Sequence, residues 1–135
     1  PLWQRSLGTG GSAAGFSVAL APGGGVVVGG TVAVEGEGSP RDLLVARFGA
    51  AGDEQMMTAV RQLGDEEMQG LAVAADGSMI VGARTAGGGL SLARLDAAGR
   101  IIERKALDPT AGSQLRGLGI APGGDLLLLT QDGAE

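Results

Sequence analysis

The sequence predicts an all-β fold built from small antiparallel sheets of four strands, stacked face to face. A repeated pattern carries most of that expectation. Residues 17–28, 70–81 and 117–128 align without a gap, each a short apolar run, a glycine turn and a second apolar run. The copies lie 53 residues apart (Leu20 to Val73) and then 47 apart (Val73 to Ile120). A period of this size belongs to arrays in which one small sheet cannot bury both its faces and stacks on its neighbours. Glycine supplies 27 of 135 residues, far above the roughly 7% of an average protein. Its fixed offsets interrupt every window long enough for a helix. The runs Val26-Val27-Val28, Met79-Ile80-Val81 and Leu126-Leu127-Leu128-Leu129 are too dense for a chain that buries no surface. With aromatics at only 2%, the core falls to Val, Leu, Ile, Ala and Met.

Each unit resolves into four strand segments. The first is a half-buried run at residues 16–21, 71–75 and 118–121. A tight turn follows at Gly23-Gly24, Asp76-Gly77 and Gly123-Gly124, dipeptides suited to a two-residue hairpin with positive φ. The second segment (25–29, 78–82, 125–130) is continuously apolar, as expected of a strand covered on both faces. A connection of variable length comes next, long and polar around Glu35-Gly36-Glu37-Gly38-Ser39-Pro40 and shorter at 85–89. The third segment is Leu43-Leu44-Val45-Ala46-Arg47-Phe48, matched by Leu90-Ser91-Leu92-Ala93-Arg94-Leu95. Turns of equal spacing, Gly49-Ala50-Ala51-Gly52 and Asp96-Ala97-Ala98-Gly99, lead to a fourth segment at 55–63 and 101–107. Residues 2–8 read as a fourth segment too, when set against 58–64.

Four antiparallel strands per unit of ~45 residues match one blade of a β-propeller. The chain therefore divides into a closing strand of a preceding blade (1–8), a first blade (9–64), a second blade (65–112) and the first half of a further blade (113–135). That is about two and a half blades, or eleven strand segments, fewer than a ring of about four four-stranded blades requires. An unclosed stack would leave sheet faces and edges bare, so the expectation is a partial β-propeller whose ring is completed by another chain. The start at Pro1-Leu2-Trp3, with neither initiator Met nor signal peptide, predicts a processed chain.

The pattern resembles bacterial β-propeller repeats of secreted and envelope proteins. The residues that carry the likeness are Val18 with Gly23-Gly24 and Val26-Val27-Val28-Gly29-Gly30-Thr31, then 71–85 and Leu92-Ala93-Arg94-Leu95-Asp96-Ala97-Ala98-Gly99. Trp3, Gln4 and Arg5 resemble the strand that closes a unit, while the two later units lack aromatics at that place. The resemblance implies an extracellular or periplasmic setting. It names no reaction, because such repeats serve many unrelated functions.

Composition excludes several chemistries. The net charge is −5 and the ten Lys and Arg residues are scattered, so nothing forms the basic stripe that nucleic acid requires. No apolar stretch approaches the ~20 residues of a membrane-spanning helix. Histidine, tyrosine and cysteine are absent, which removes Ser-His-Asp catalysis, phenolic acids, thiolate nucleophiles and His- or Cys-based metal sites. The glycine-dense stretch Gly8-Thr9-Gly10-Gly11-Ser12-Ala13-Ala14-Gly15 does not open a helix and reads as an inter-blade loop, not a phosphate cradle. Asp53-Glu54 and Asp65-Glu66-Glu67 lack the alternating spacing of a calcium loop and read as solvated loops. Asp76, Asp96 and Asp125 read as turn residues that bond their own backbone. Met56-Met57 reads as packing.

No catalytic, cofactor-binding or metal residue is therefore expected, and no cofactor. The candidate interaction residues are Trp3, Arg47, Arg94, Glu35 and Glu37. Arg47 and Arg94 share one position in the third strand, where a guanidinium suits bridging to carbonyls of the next blade. The leading expectation is a non-catalytic scaffold joined to a partner polypeptide that supplies the remaining blades. Two alternatives stand beside it. One is a subunit of a propeller hydrolase or oxidoreductase whose catalytic groups lie mainly on the partner, with Asp42 or Glu66 contributing. The other is an extracellular carbohydrate- or surface-binding module that uses the loop at 34–41.

Overall fold

The computed structural model describes residues 2–7, 13–33, 41–60, 66–85, 87–107 and 114–131. These form ten strands in three antiparallel sheets, with no helix among the described residues. The first sheet joins β1 (Ala13–Leu20), β2 (Val26–Ala33), β3 (Arg41–Phe48) and β4 (Glu54–Val60) in chain order. The second joins β5 (Glu67–Val73), β6 (Met79–Arg84), β7 (Leu90–Leu95) and β8 (Ile101–Ala106) in the same order. The third holds β9 (Gln114–Ile120) and β10 (Leu126–Gln131). The all-β expectation holds.

The turns differ in detail from two-residue hairpins. In all three sheets the link between first and second strands closes over four residues, with the Gly24, Gly77 and Gly124 amides donating to Ala21, Ala74 and Ala121. Each of these glycines sits near φ +90° (89°, 86° and 92°), while Asp76 does not take a positive φ. At Asp76-Gly77 and Gly123-Gly124 a type I turn followed by one left-handed glycine produces this geometry, so only the last residue of the dipeptide must be Gly; in the first sheet Gly23 (φ 85°) is left-handed as well as Gly24, and glycine suits both positions as expected. Gly52 and Gly99 end the β3–β4 and β7–β8 turns in the same way.

The first strands start earlier than the apolar runs predict. Each carries one extra residue at or just before the start of the run, and pairing resumes beyond it: the register skips between Gly15 and Ser17, between Met68 and Gly70, and between Leu115 and Gly117. A bulge of this kind shifts the side-chain alternation by one residue, which hides the extension from a period-of-two reading. Residues 2–7, expected as a strand, have none of the ladder pairing of one.

One core spans the first two sheets. Val27, Leu43 and Val45 of the first sheet pack with Met68, Leu71, Met79, Val81 and Leu95 of the second, all buried. β5 lies against β1 and β2 on one side and against β9 on the other, so the first strands of successive sheets are neighbours. The contact works by size. A Cβ at Gly29 would meet the Met68 side chain, and one at Gly82 would meet Leu115. Each glycine opens a window for a large side chain of the next sheet. Two hydrogen bonds cross the same junctions, Met68 N to Thr31 Oγ1 (3.1 Å) and Leu115 N to Gln69 Oε1 (2.8 Å). They keep polar atoms satisfied where water is excluded.

Candidate functional site

The described surface that departs most from ordinary burial is the open end of the stack. In the second sheet, Met79 and Val81 of β6 are buried, at 0% and 1% exposure. Their register equivalents in the third sheet, Leu126 and Leu128 of β10, are 37% and 39% exposed, and Leu127 and Leu129 reach 58% and 64%. The expectation that this strand is covered on both faces is therefore not met. β10 pairs with β9 alone, so no strand lies along its other edge among the described residues. Exposed apolar side chains continue on β8, at Ile101 and Ile102, and at the opposite end on β1, at Val18 and Leu20.

Between the second sheet and the β9–β10 hairpin lies a groove of about 700 Å³. Its walls include Asp76, Arg94, Glu103 and Lys105 from the second sheet, with Pro122 and Leu126 from the hairpin. The corresponding place one sheet earlier is closed. There Met56 and Thr58 of β4, which stand in the register positions of Glu103 and Lys105, lie against the β7–β8 turn. A Cβ on Gly99 of that turn would come within 2.8 Å of the Met56 sulfur.

The expected interaction residues separate into three fates. Trp3 lies on the β3–β4 turn: its indole Nε1 donates to the Ala50 carbonyl at 3.0 Å and its ring sits 5.9 Å from Phe48. The ring also covers Gly52, where a Cβ would fall 2.7 Å from it. Arg5 adds a bond from its Nε to the Gly52 carbonyl, 2.6 Å. Arg47 bridges the sheets as its type suggests, one guanidinium nitrogen donating to the Gly77 carbonyl of the β5–β6 turn. Arg94, in the same register one sheet on, is exposed and lines the groove. Glu35 and Glu37 lie outside the described residues, as does most of the 34–41 loop.

The acidic residues also divide. Asp76 accepts from the Ser78 amide (2.9 Å) and hydroxyl (2.6 Å), and these bonds hold its carboxyl below the usual range. Asp96 accepts from the Arg100 amide (2.9 Å) and guanidinium (2.9 Å) and from the Ala98 amide, with the same direction of shift. Both are turn chemistry, as expected. Glu66 is not the solvated loop residue that its acidic neighbours suggested. It stands just before β5, its amide bonded to the Arg41 carbonyl at 3.1 Å, and is 2% exposed. Its Oε2 is buried with no hydrogen-bond partner among the described residues. Burial pushes its pKa from 4.5 up to about 7; Arg104 opposes the shift and Asp42 adds to it. No local sequence signal marks this, because the groups that act on it, Asp42 of β3 and Arg104 of β8, are distant in the chain.

Among the described residues no helix is long and apolar enough to cross a membrane. No family model matches the chain, and no curated protein matches it in sequence.

Proposed function

We propose that this chain is a segment of a β-propeller, about two and a half blades, that acts as a non-catalytic scaffold. In this reading its open end joins another polypeptide that supplies the remaining strands. The observation that carries it is the third sheet, whose four consecutive leucines are exposed although Met79 and Val81, the second-sheet equivalents of Leu126 and Leu128, form core. Leaving such side chains in water forfeits about 1.5–3 kcal/mol for each one that a partner would bury fully. A contiguous apolar strand with a free edge also invites pairing. The stacking of like sheets through glycine windows and the neighbouring first strands support the blade reading. The extracytoplasmic setting rests on the repeat resemblance alone.

The test is the mass of the purified chain in solution, measured by light scattering across a concentration series, together with binding of an apolar-surface dye. The scaffold reading expects association above the 13.3 kDa of one chain, reduced by Leu127→Thr with Leu129→Thr. A monodisperse monomer that binds no dye would overturn it.

A further inference from the structure

We propose that the groove beside the third sheet, together with the free edge of β10, is the docking site for a β-hairpin of another polypeptide whose turn reads small, small, glycine. The inference rests on the scaffold reading above and names what the partner presents there.

Three contacts seen twice each within this molecule define that occupant. First, the second strand of each complete sheet is paired along its whole length by a third strand; β6 meets β7 from Met79–Leu95 to Arg84–Leu90. The matching residues of β10, Leu126 to Gln131, face no such strand among the described residues. Second, the glycine ending the first turn lies close to an alanine of the second turn. A Cβ on Gly24 would touch Ala50 at 3.6 Å, and one on Gly77 would touch Ala97 at 3.4 Å. Gly124, in the same conformation, has nothing within 4 Å among the described residues. Third, the glycine ending the second turn lies under a side chain that precedes its sheet in the chain, Gly52 under Trp3 of the segment 2–7 and Gly99 under Met56 of β4. The next receiving positions are Glu103 and Lys105, on the groove wall.

These three open positions converge on one groove, and a single hairpin fills them together. Its first strand pairs antiparallel with β10, its alanine reaches Gly124, and its glycine lies over Glu103 and Lys105. A bulky residue at either turn position would strike Gly124 or the groove wall. The receiving side chains have changed from Trp3 and Met56 to a carboxylate and an ammonium. The partner's fourth strand therefore meets a polar wall, so hydrogen-bonding side chains suit it better than a purely apolar face.

A synthetic peptide with the sequence of residues 85–107 is the probe, added to the full chain and read by hydrogen exchange of the β10 amides. A second arm joins the same sequence covalently after Gln131, which raises its effective concentration and removes dependence on weak binding in trans. The proposal expects the amides of 126–131 to exchange at least tenfold more slowly in one or both arms. It also expects that protection to vanish when the copy of Gly99 in the probe is changed to valine (Gly99→Val). Unchanged exchange in both arms, or protection indifferent to that valine, overturns the hairpin. If β10 is instead protected by self-association that the probe does not displace, the occupant is a second copy and the scaffold reading survives. Should β10 be protected in an unassociated chain without any probe, the scaffold reading itself falls.

Discussion

Replacing Glu66 with glutamine should remove a pH dependence built into the junction of the first two sheets. Glu66 is 2% exposed and its pKa rises from 4.5 to about 7, chiefly through burial. A raised value means that the folded chain holds this proton more tightly than the unfolded chain does. Below pH 4.5 both states keep it and the site costs nothing. As pH rises toward about 7, the unfolded chain releases the proton first, so stability falls across that window and the loss is complete above it. At about 1.4 kcal/mol per pH unit, the interval between 4.5 and about 7 corresponds to about 3 kcal/mol. Glu66→Gln keeps the shape and cannot ionise. Any cost of its amide is the same at every pH and cancels when two pH values are compared. Urea unfolding of both proteins from pH 4 to pH 8.5, followed by far-ultraviolet circular dichroism, gives the comparison, with an unchanged dependence on urea concentration checking for a two-state transition. The variant should gain about 3 kcal/mol on the parent between the two extremes. Stability curves that stay parallel to within about 0.5 kcal/mol would refute the buried, proton-holding carboxyl.

Three further outcomes follow from the packing. Gly82→Val should cost about 1–3 kcal/mol by overpacking, because its side chain falls on Leu115 of the third sheet, and should speed hydrogen exchange in β9; Gly29→Ala meets the flexible end of Met68 at 3.0 Å and Leu71 at an ordinary 3.4 Å and should cost less. Arg47→Ala should lower stability in thermal unfolding by about 1–3 kcal/mol, since it frees the Gly77 carbonyl, whereas Arg94→Ala should stay within about 0.5 kcal/mol because Arg94 is exposed. Trp3 is the one tryptophan of the chain, so its emission isolates residues 2–7. With a turn beneath it but no ladder, that segment should detach at lower urea than the far-ultraviolet transition, and Gly52→Ala should detach it without urea.

What the sequence made legible is what short-range chemistry dictates. Gly24, Gly77 and Gly124 must occupy left-handed backbone, so glycine recurs there whatever surrounds the turn, and the apolar runs beside it mark the strands. The same logic located Arg47 and Arg94 in one register. It could not tell that Arg47 spans a junction and Arg94 lines a groove, because their difference lies in what stands opposite. Glu66 is the sharper case. Its neighbours Asp65 and Glu67 make the local string acidic, yet the backbone bond to Arg41 draws it against the first sheet and out of water. Period and turn grammar describe one sheet at a time, whereas the groove, the buried carboxyl and the glycine windows all arise between sheets.

The third sheet shows how far the junction rule extends. Gly29 and Gly82 each leave room for a large side chain, Met68 and Leu115, of the sheet that follows. The register-equivalent position on β10 is Leu129, 64% exposed. A leucine there closes the window and becomes the protruding element itself. Whatever packs on that face must therefore offer a recess where the two earlier junctions offer a knob, so a further sheet with the Met68 arrangement would clash. The edge of β10 calls for a hairpin like those already present, but its outer face calls for a surface this chain has not used before. The partner proposed above would therefore have to match a backbone ladder on one side and a reversed pattern of large and small residues on the other.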